Sequence, residues 1–260
     1  MIFPFSFSLL FTIAAAEEFS YCQSGADWDG LCEKGDAQSP INIITDSITH
    51  ESTGQGILLT YTMIKAKGSF TDHNYQVTGN FVTGVFNSNN SDITGYGKQF
   101  HFHAPSEHTV NGVHYDLEMH SVQYNKTGSP IFVIGVLFQL NDKSNDFLEK
   151  VIDSYSIYTN IDLSEAFDGE EDLINFYYYQ GSLTTPPCTE GINWFVWDKI
   201  QDVNQTQLDF FTSRWAGSSS FACGKGNNRL TQELHNRTVY RYDNSVILML
   251  GVPIVALLMH

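Results

Sequence analysis

Apolar and polar residues alternate with period 2 through much of this chain. In Gln99-Phe-His101-Phe-His103 the two phenylalanines take one face of a strand, and Gln99, His101 and His103 take the other. In Leu117-Glu-Met-His-Ser-Val122, Glu118, His120 and Val122 share a face. Alternation and β-branched or aromatic runs predict strands at residues 61–66, 76–86, 99–103, 114–124, 131–139 and 191–197. The 131–139 run is almost unbroken in its apolar character, as a central strand covered on both faces would be. Helical spacing appears at 145–160, through Phe147, Leu148, Val151, Ile152 and Tyr155, and more briefly at 206–214. The rest reads as connecting loop, with no internal repeat and no long linker. The expectation is a mainly β (α+β) single domain: a large twisted, mostly antiparallel central sheet with small peripheral helices.

At 260 residues, 42% hydrophobic and 14% aromatic, the chain can bury one substantial core. A formal net charge of −16 makes nucleic acid and anionic lipid headgroups poor partners. The apolar stretch 2–16 ends in Ala14-Ala15-Ala16 and predicts a secretory signal peptide over residues 1–16, leaving a domain over 17–245. Sequons at Asn89, Asn125, Asn204 and Asn236 then become candidate glycan sites, at the cell surface or outside it. Four cysteines follow the leader, Cys22, Cys32, Cys188 and Cys223, without a Cys-x-x-Cys pair. They suit disulfides rather than a thiolate metal site, and four cysteines allow three pairings. The apolar tail 246–260, interrupted by Pro253, is short for a span of ~20 residues. It fits a removed glycolipid-anchor (GPI) signal, with Asp243-Asn-Ser245 as the attachment region, or a short membrane tail, or a buried last strand.

Five of the nine histidines lie between 101 and 120. If the two strands that carry His101, His103 and His120 are neighbours, three imidazoles converge. Three imidazoles with one open position are the coordination of a catalytic zinc. Gln99 and Glu118 stand beside them as the acceptors that ligand N–H groups require.

Gln38-Ser-Pro-Ile-Asn-Ile43, Gln99-Phe-His-Phe-His103, Ser106-Glu-His-Thr109, Glu118-Met-His120 and Gly181-Ser-Leu-Thr-Thr-Pro-Pro187 occur in that order. Together they resemble the α-class carbonic anhydrases, from about Tyr21 to Tyr242. The resemblance implies one Zn2+ per chain and reversible hydration of carbon dioxide to bicarbonate and a proton by zinc-bound hydroxide. His101, His103 and His120 match the metal ligands. Gln99 and Glu118 match the acceptors behind His101 and His120, and the Asn227 carbonyl matches the acceptor behind His103. Thr184 matches the hydroxyl that orients the zinc-bound oxygen, and Glu107 the carboxylate that takes the threonine's hydrogen. His73 matches the proton shuttle, and Tyr21 and Gln76 match residues that order the water chain. Val122, Val133, Leu183 and Trp194 match the apolar substrate pocket, with Thr185 and Ile192 beside them. His108 matches a buried structural partner. Secreted members of the family pair cysteines at the positions of Cys32 and Cys188, which leaves Cys22 and Cys223 for a second bridge. Ala104-Pro105 departs from the Trp-Gly of many animal members. The family's closing strand resembles Arg237-Thr-Val-Tyr-Arg-Tyr242, so the fold is expected to finish near Tyr242.

Overall fold

The long hairpin of Tyr75–Ser88 and Ser91–His103 anchors a large curled sheet. The computed structural model describes residues 19–51, 56–88, 91–167, 174–218 and 221–249. Nine strands hydrogen-bond in the order Leu117–Tyr124, Ser91–His103, Tyr75–Ser88, Gly56–Tyr61, Tyr240–Met249, Ile174–Ser182, Glu190–Trp197, Pro130–Leu140 and Gln201–Val203. Leu117–Tyr124 also pairs with Pro130–Leu140, so the first eight return on themselves as a ring. Thr49–Glu51 and Gly68–Phe70 add at the sides.

Period-2 alternation sorts side chains onto the two faces of this sheet. Phe100, Phe102, Met119, Phe132, Ile134 and Phe195 are fully buried on one face in a large aromatic core. Each such side chain contributes roughly 1.5–3 kcal/mol relative to exposure. Val122, Val133, Tyr179 and Trp194 form a second apolar cluster on the other face, which also carries the histidines.

Among the described residues the mainly β architecture with three small helices matches the sequence pattern, with instructive differences. The sheet is mixed: Pro130–Leu140 pairs in parallel with Glu190–Trp197 and Gln201–Val203, and Tyr240–Met249 in parallel with Thr49–Glu51 and Gly56–Tyr61. The strand expected at 61–66 is two strands. Gly56–Tyr61 belongs to the large sheet, whereas Ile64–Ala66 pairs with Thr159–Ile161 in a small one. The helix expected over 145–160 is Asp146–Ser156, because Asn145 caps it through Leu148 N–H and Thr159 begins a strand. The second helix is Gln205–Thr212, closed by a reciprocal cap between Asn204 and Gln207. The short third helix, Leu31–Lys34, carries Cys32. Ile174–Ser182, expected as loop, is a sheet strand. The closing strand runs past Tyr242 to Met249, with Val246–Met249 opposite Leu58–Tyr61.

Residues 1–18 and 250–260, which hold the expected leader and most of the apolar tail, lie outside the described residues, as does Asn89. Among the described residues no helix is long and apolar enough to cross a membrane. Asn125 organises a turn by accepting from Thr127 and Ser129, Asn204 is the helix cap, and Asn236 is exposed.

Candidate metal centre

Strand register converts alternation into a site. Across the antiparallel pair His101 stands opposite His120, His103 opposite Glu118, and Gln99 opposite Val122. The three rings close to centroid separations of 5.0, 5.3 and 4.6 Å. Each ring has one nitrogen committed. His101 Nδ1 meets Gln99 Oε1 at 2.8 Å, His103 Nδ1 meets the Asn227 carbonyl at 2.7 Å, and His120 Nε2 meets Glu118 Oε1 at 2.8 Å. An acceptor on one nitrogen fixes the proton there and leaves the other nitrogen with a bare lone pair.

The ligand atoms of this trio all lie within 4.8 Å of one another. His103 Nε2 is buried without a hydrogen-bond partner, a costly state that a bound cation relieves. Burial, reinforced by the other two imidazoles, holds His101 well below the ordinary imidazole range. Burial likewise lowers His103, against the opposing charge of Glu107. Neutral rings are the ligand form. The donor set therefore fits one zinc ion with an open fourth position.

Glu118 supports the ring geometry. Its Oε1 accepts from His120 Nε2 and, at 2.7 Å, from His108 Nδ1, while Oε2 accepts from the backbone N–H groups of Glu107 and His108 at 2.8 Å each. Burial pushes its carboxyl pKa up, but His108 and His120 outweigh that and hold it well below the usual range. His108 Nε2 meets the Tyr179 hydroxyl at 2.7 Å, so both of its nitrogens are used inside the protein.

Glu107 is fully buried, and its Oε1 accepts from Arg229 N–H at 2.9 Å. Its Oε2 has no hydrogen-bond partner. Thr184 is buried in the turn between Leu183 and Thr189, which the Cys32–Cys188 disulfide ties to the Leu31–Lys34 helix. Val122, Val133, Ile192 and Trp194 are buried in one apolar cluster, and Leu183 packs against it. Thr185 is half-buried and gives its carbonyl to Cys188 N–H. Gln76 is in register with His101. Tyr21 is fully buried, and burial pushes its hydroxyl pKa well up.

His73 is partly exposed and stacks on Phe19, with ring centroids 3.9 Å apart. Its carbonyl accepts from Asn227 Nδ2 at 3.0 Å. Asn227 thus touches both His73 and His103, while its Oδ1 accepts from Ala104 N–H.

Arg229 escaped sequence reasoning. It is fully buried, and its guanidinium donates to Gln38 Oε1, the Ser39 carbonyl and the Cys32 carbonyl. No local pattern marks it, since the partners lie nearly 200 residues away in sequence.

Residues 23–243 match the eukaryotic-type carbonic anhydrase family. The chain belongs to this family. Alpha carbonic anhydrase 4 of Arabidopsis thaliana is 32% identical, over 83% of this chain and 79% of that protein. The α-carbonic anhydrase of Thermovibrio ammonificans, solved with the inhibitor sulfanilamide, superposes with a TM-score of 0.67 at 34% identity, covering 81% of this chain and 89% of that one. Dioscorin DB3S of Dioscorea polystachya is 30% identical, over 77% of this chain and 81% of that protein. Relatives of this chain thus include a protein that does not carry the enzyme's name, so family membership and catalysis are separate statements.

Proposed function

We propose that the chain catalyses the reversible hydration of carbon dioxide to bicarbonate and a proton, with zinc held by His101, His103 and His120. The observation that carries this is the converging imidazole trio, each ring fixed by its own acceptor, beside an apolar wall. Zinc bound by these three imidazoles would supply a nucleophilic hydroxide near neutral pH, the activation for which this enzyme family is the standard example.

The protein's own groups do the rest. Val122, Val133, Leu183 and Trp194 offer carbon dioxide a dry surface without competing hydrogen bonds. Glu107 Oε2, buried and without a hydrogen-bond partner, is available to accept the Thr184 hydroxyl hydrogen. A hydroxyl has only one proton, so Thr184 then presents a lone pair to the reacting oxygen and orients it. The Thr184 backbone N–H is the donor to a substrate oxygen. His73, partly exposed, takes the released proton on an imidazole nitrogen and passes it to buffer, with Gln76 and Tyr21 ordering the intervening water. Two disulfides suit passage through the secretory pathway.

Equilibrium zinc titration tests the ligand assignment. His101→Ala, His103→Ala and His120→Ala are each expected to abolish stoichiometric zinc or weaken it severely, because two imidazoles leave the site too open. Full stoichiometry in all three variants contradicts the assignment.

A further inference from the structure

The imidazole of His73 is flanked by two aromatic rings from opposite ends of the chain. Phe19 stacks on it at 3.9 Å with an interplanar angle of 10°. Phe221 approaches at 5.5 Å and 56°. Phe19 lies three residues before Cys22 and Phe221 two residues before Cys223, and these cysteines are bonded across a separation of 201 residues. Tyr21 N–H donates to the Phe221 carbonyl at 2.7 Å, and the Tyr21 ring meets Phe19 and Phe221 edge-on at 5.6 Å each. Trp28 closes the outside of Phe19 at 5.0 Å, and its Nε1 donates to the Ser20 carbonyl.

This second bridge meets the metal centre only at one remove, since Cys223 lies four residues before Asn227, whose carbonyl meets His103 Nδ1. The Cys32–Cys188 bond holds the Thr184 turn, and the histidine ligands are held by sheet register. What the Cys22–Cys223 bond does hold is the pair of backbone segments that carry the two rings around His73. An imidazole with two free side-chain torsions sweeps a wide arc. A stacked partner selects one orientation from that arc, and orientation matters for a group that must hand on a proton.

We propose that Phe19 and Phe221, locked together by the Cys22–Cys223 disulfide, are positioning residues for His73 and set its reach in the proton relay. The proposal rests on the relay reading above. The environment agrees with it. Burial lowers the His73 pKa, against the opposing effects of a hydrogen bond with the Phe19 backbone and the charge of Asp72. Lys225 Nζ donates to the Cys22 carbonyl at 3.4 Å, and the Arg229 guanidinium lies 5.7 Å over the Trp28 ring.

The test compares the zinc-loaded native chain with two variants: Cys22→Ser/Cys223→Ser, and Phe19→Leu/Phe221→Leu with the bridge kept. Two measurements are made on each. The first is the ring-current shift of the His73 imidazole protons by NMR, assigned against His73→Ala. The second is carbon dioxide turnover in dilute buffer relative to concentrated imidazole buffer. Both variants are expected to lose the upfield shift of a stacked ring. Their dilute-buffer turnover should fall toward that of His73→Ala, with most of it restored by concentrated imidazole. A purely structural bridge would lower the melting temperature and leave the His73 signals and the buffer ratio unchanged, which overturns the proposal. Loss of the shift with an unchanged buffer ratio also overturns it. If the serine variant does not fold, the leucine variant carries both measurements. A native chain whose dilute-buffer turnover is indifferent to His73→Ala overturns the relay reading itself, whereas the NMR shift still reports whether the rings are clamped.

Discussion

Glu118 receives four donors on two oxygens, all of them inside the protein. A carboxamide cannot replace it, because one end of the amide would point N–H groups at other N–H groups. Glu118→Gln is expected to cost about 1–3 kcal/mol for each donor left unsatisfied and to weaken zinc binding roughly 10–100-fold, measured by urea unfolding and competitive zinc titration. The pH dependence has a definite sign in the metal-free protein. The folded carboxyl lies below its ordinary value of 4.5, so ionised Glu118 stabilises the fold fully above that pH. That contribution is lost as the pH falls through the lower folded value. Urea midpoints below the ordinary carboxylate range should therefore drop more steeply in the native chain than in Glu118→Gln. Parallel acid limbs would contradict this wiring. At this scale the sequence exposed the imidazole trio and the nearest acceptors, because alternation places Gln99 with His101 and Glu118 with His120. It did not expose the turn that wraps Glu107 and His108 N–H groups onto Glu118, since no period describes a turn folding back over a strand. Arg229 was hidden for the same reason: its partners are set by tertiary closure.

Elements with one covered face and a regular period were legible. The strand Ser91–His103 and its partner Leu117–Tyr124 were anticipated through their histidine-bearing segments. The strand Ile174–Ser182 was not. Tyr177, Tyr178 and Tyr179 are consecutive and all buried, so no alternation marks which residues face in. The break at Thr62 was also invisible, because Thr62 N–H simply joins Phe81 O while the apolar pattern continues past it. Connections carry as much of the site as strands do. Gly226 precedes Asn227, and a Cβ there would lie 2.5 Å from the Ala104 carbonyl oxygen and 2.6 Å from Pro105 Cδ. Backbone cannot swing aside as a side chain can, so Gly226→Ala should push the loop outward and pull the Asn227 carbonyl off His103 Nδ1. The expected result is a zinc affinity lowered roughly 10–100-fold, by competition titration, as for loss of other supporting acceptors. Native affinity in a folded Gly226→Ala protein would show that the Asn227 carbonyl does not hold His103.

Over the whole molecule, the sheet closes and two covalent bonds tie distant segments to it. Cys32–Cys188 spans 156 residues and fixes the Thr184 turn against the Leu31–Lys34 helix. Cys32→Ser/Cys188→Ser should lower stability by about 2–5 kcal/mol, read as a fall in melting temperature. It should also reduce turnover, since Thr184 loses its anchor. A destabilised variant with full turnover would separate the bridge from the site. The C-terminal strand bears on the expected anchor signal. Val246–Met249 pair with Leu58–Tyr61, so cleavage within Asp243-Asn-Ser245 would remove one side of the Gly56–Tyr61 strand's pairing. Closure of this kind depends on long-range parallel pairing, which local patterns do not encode.

The proposed function makes this chain a zinc-dependent hydratase through its imidazole trio, rather than a binding protein on the same fold. Stopped-flow carbon dioxide hydration by the purified protein tests it most directly, before chelation, after chelation, and after zinc is returned. The predicted result is catalysis that disappears with chelator, returns with one equivalent of zinc, and is absent from His101→Ala throughout. A protein that holds one zinc per chain yet hydrates carbon dioxide no faster than buffer would contradict the account.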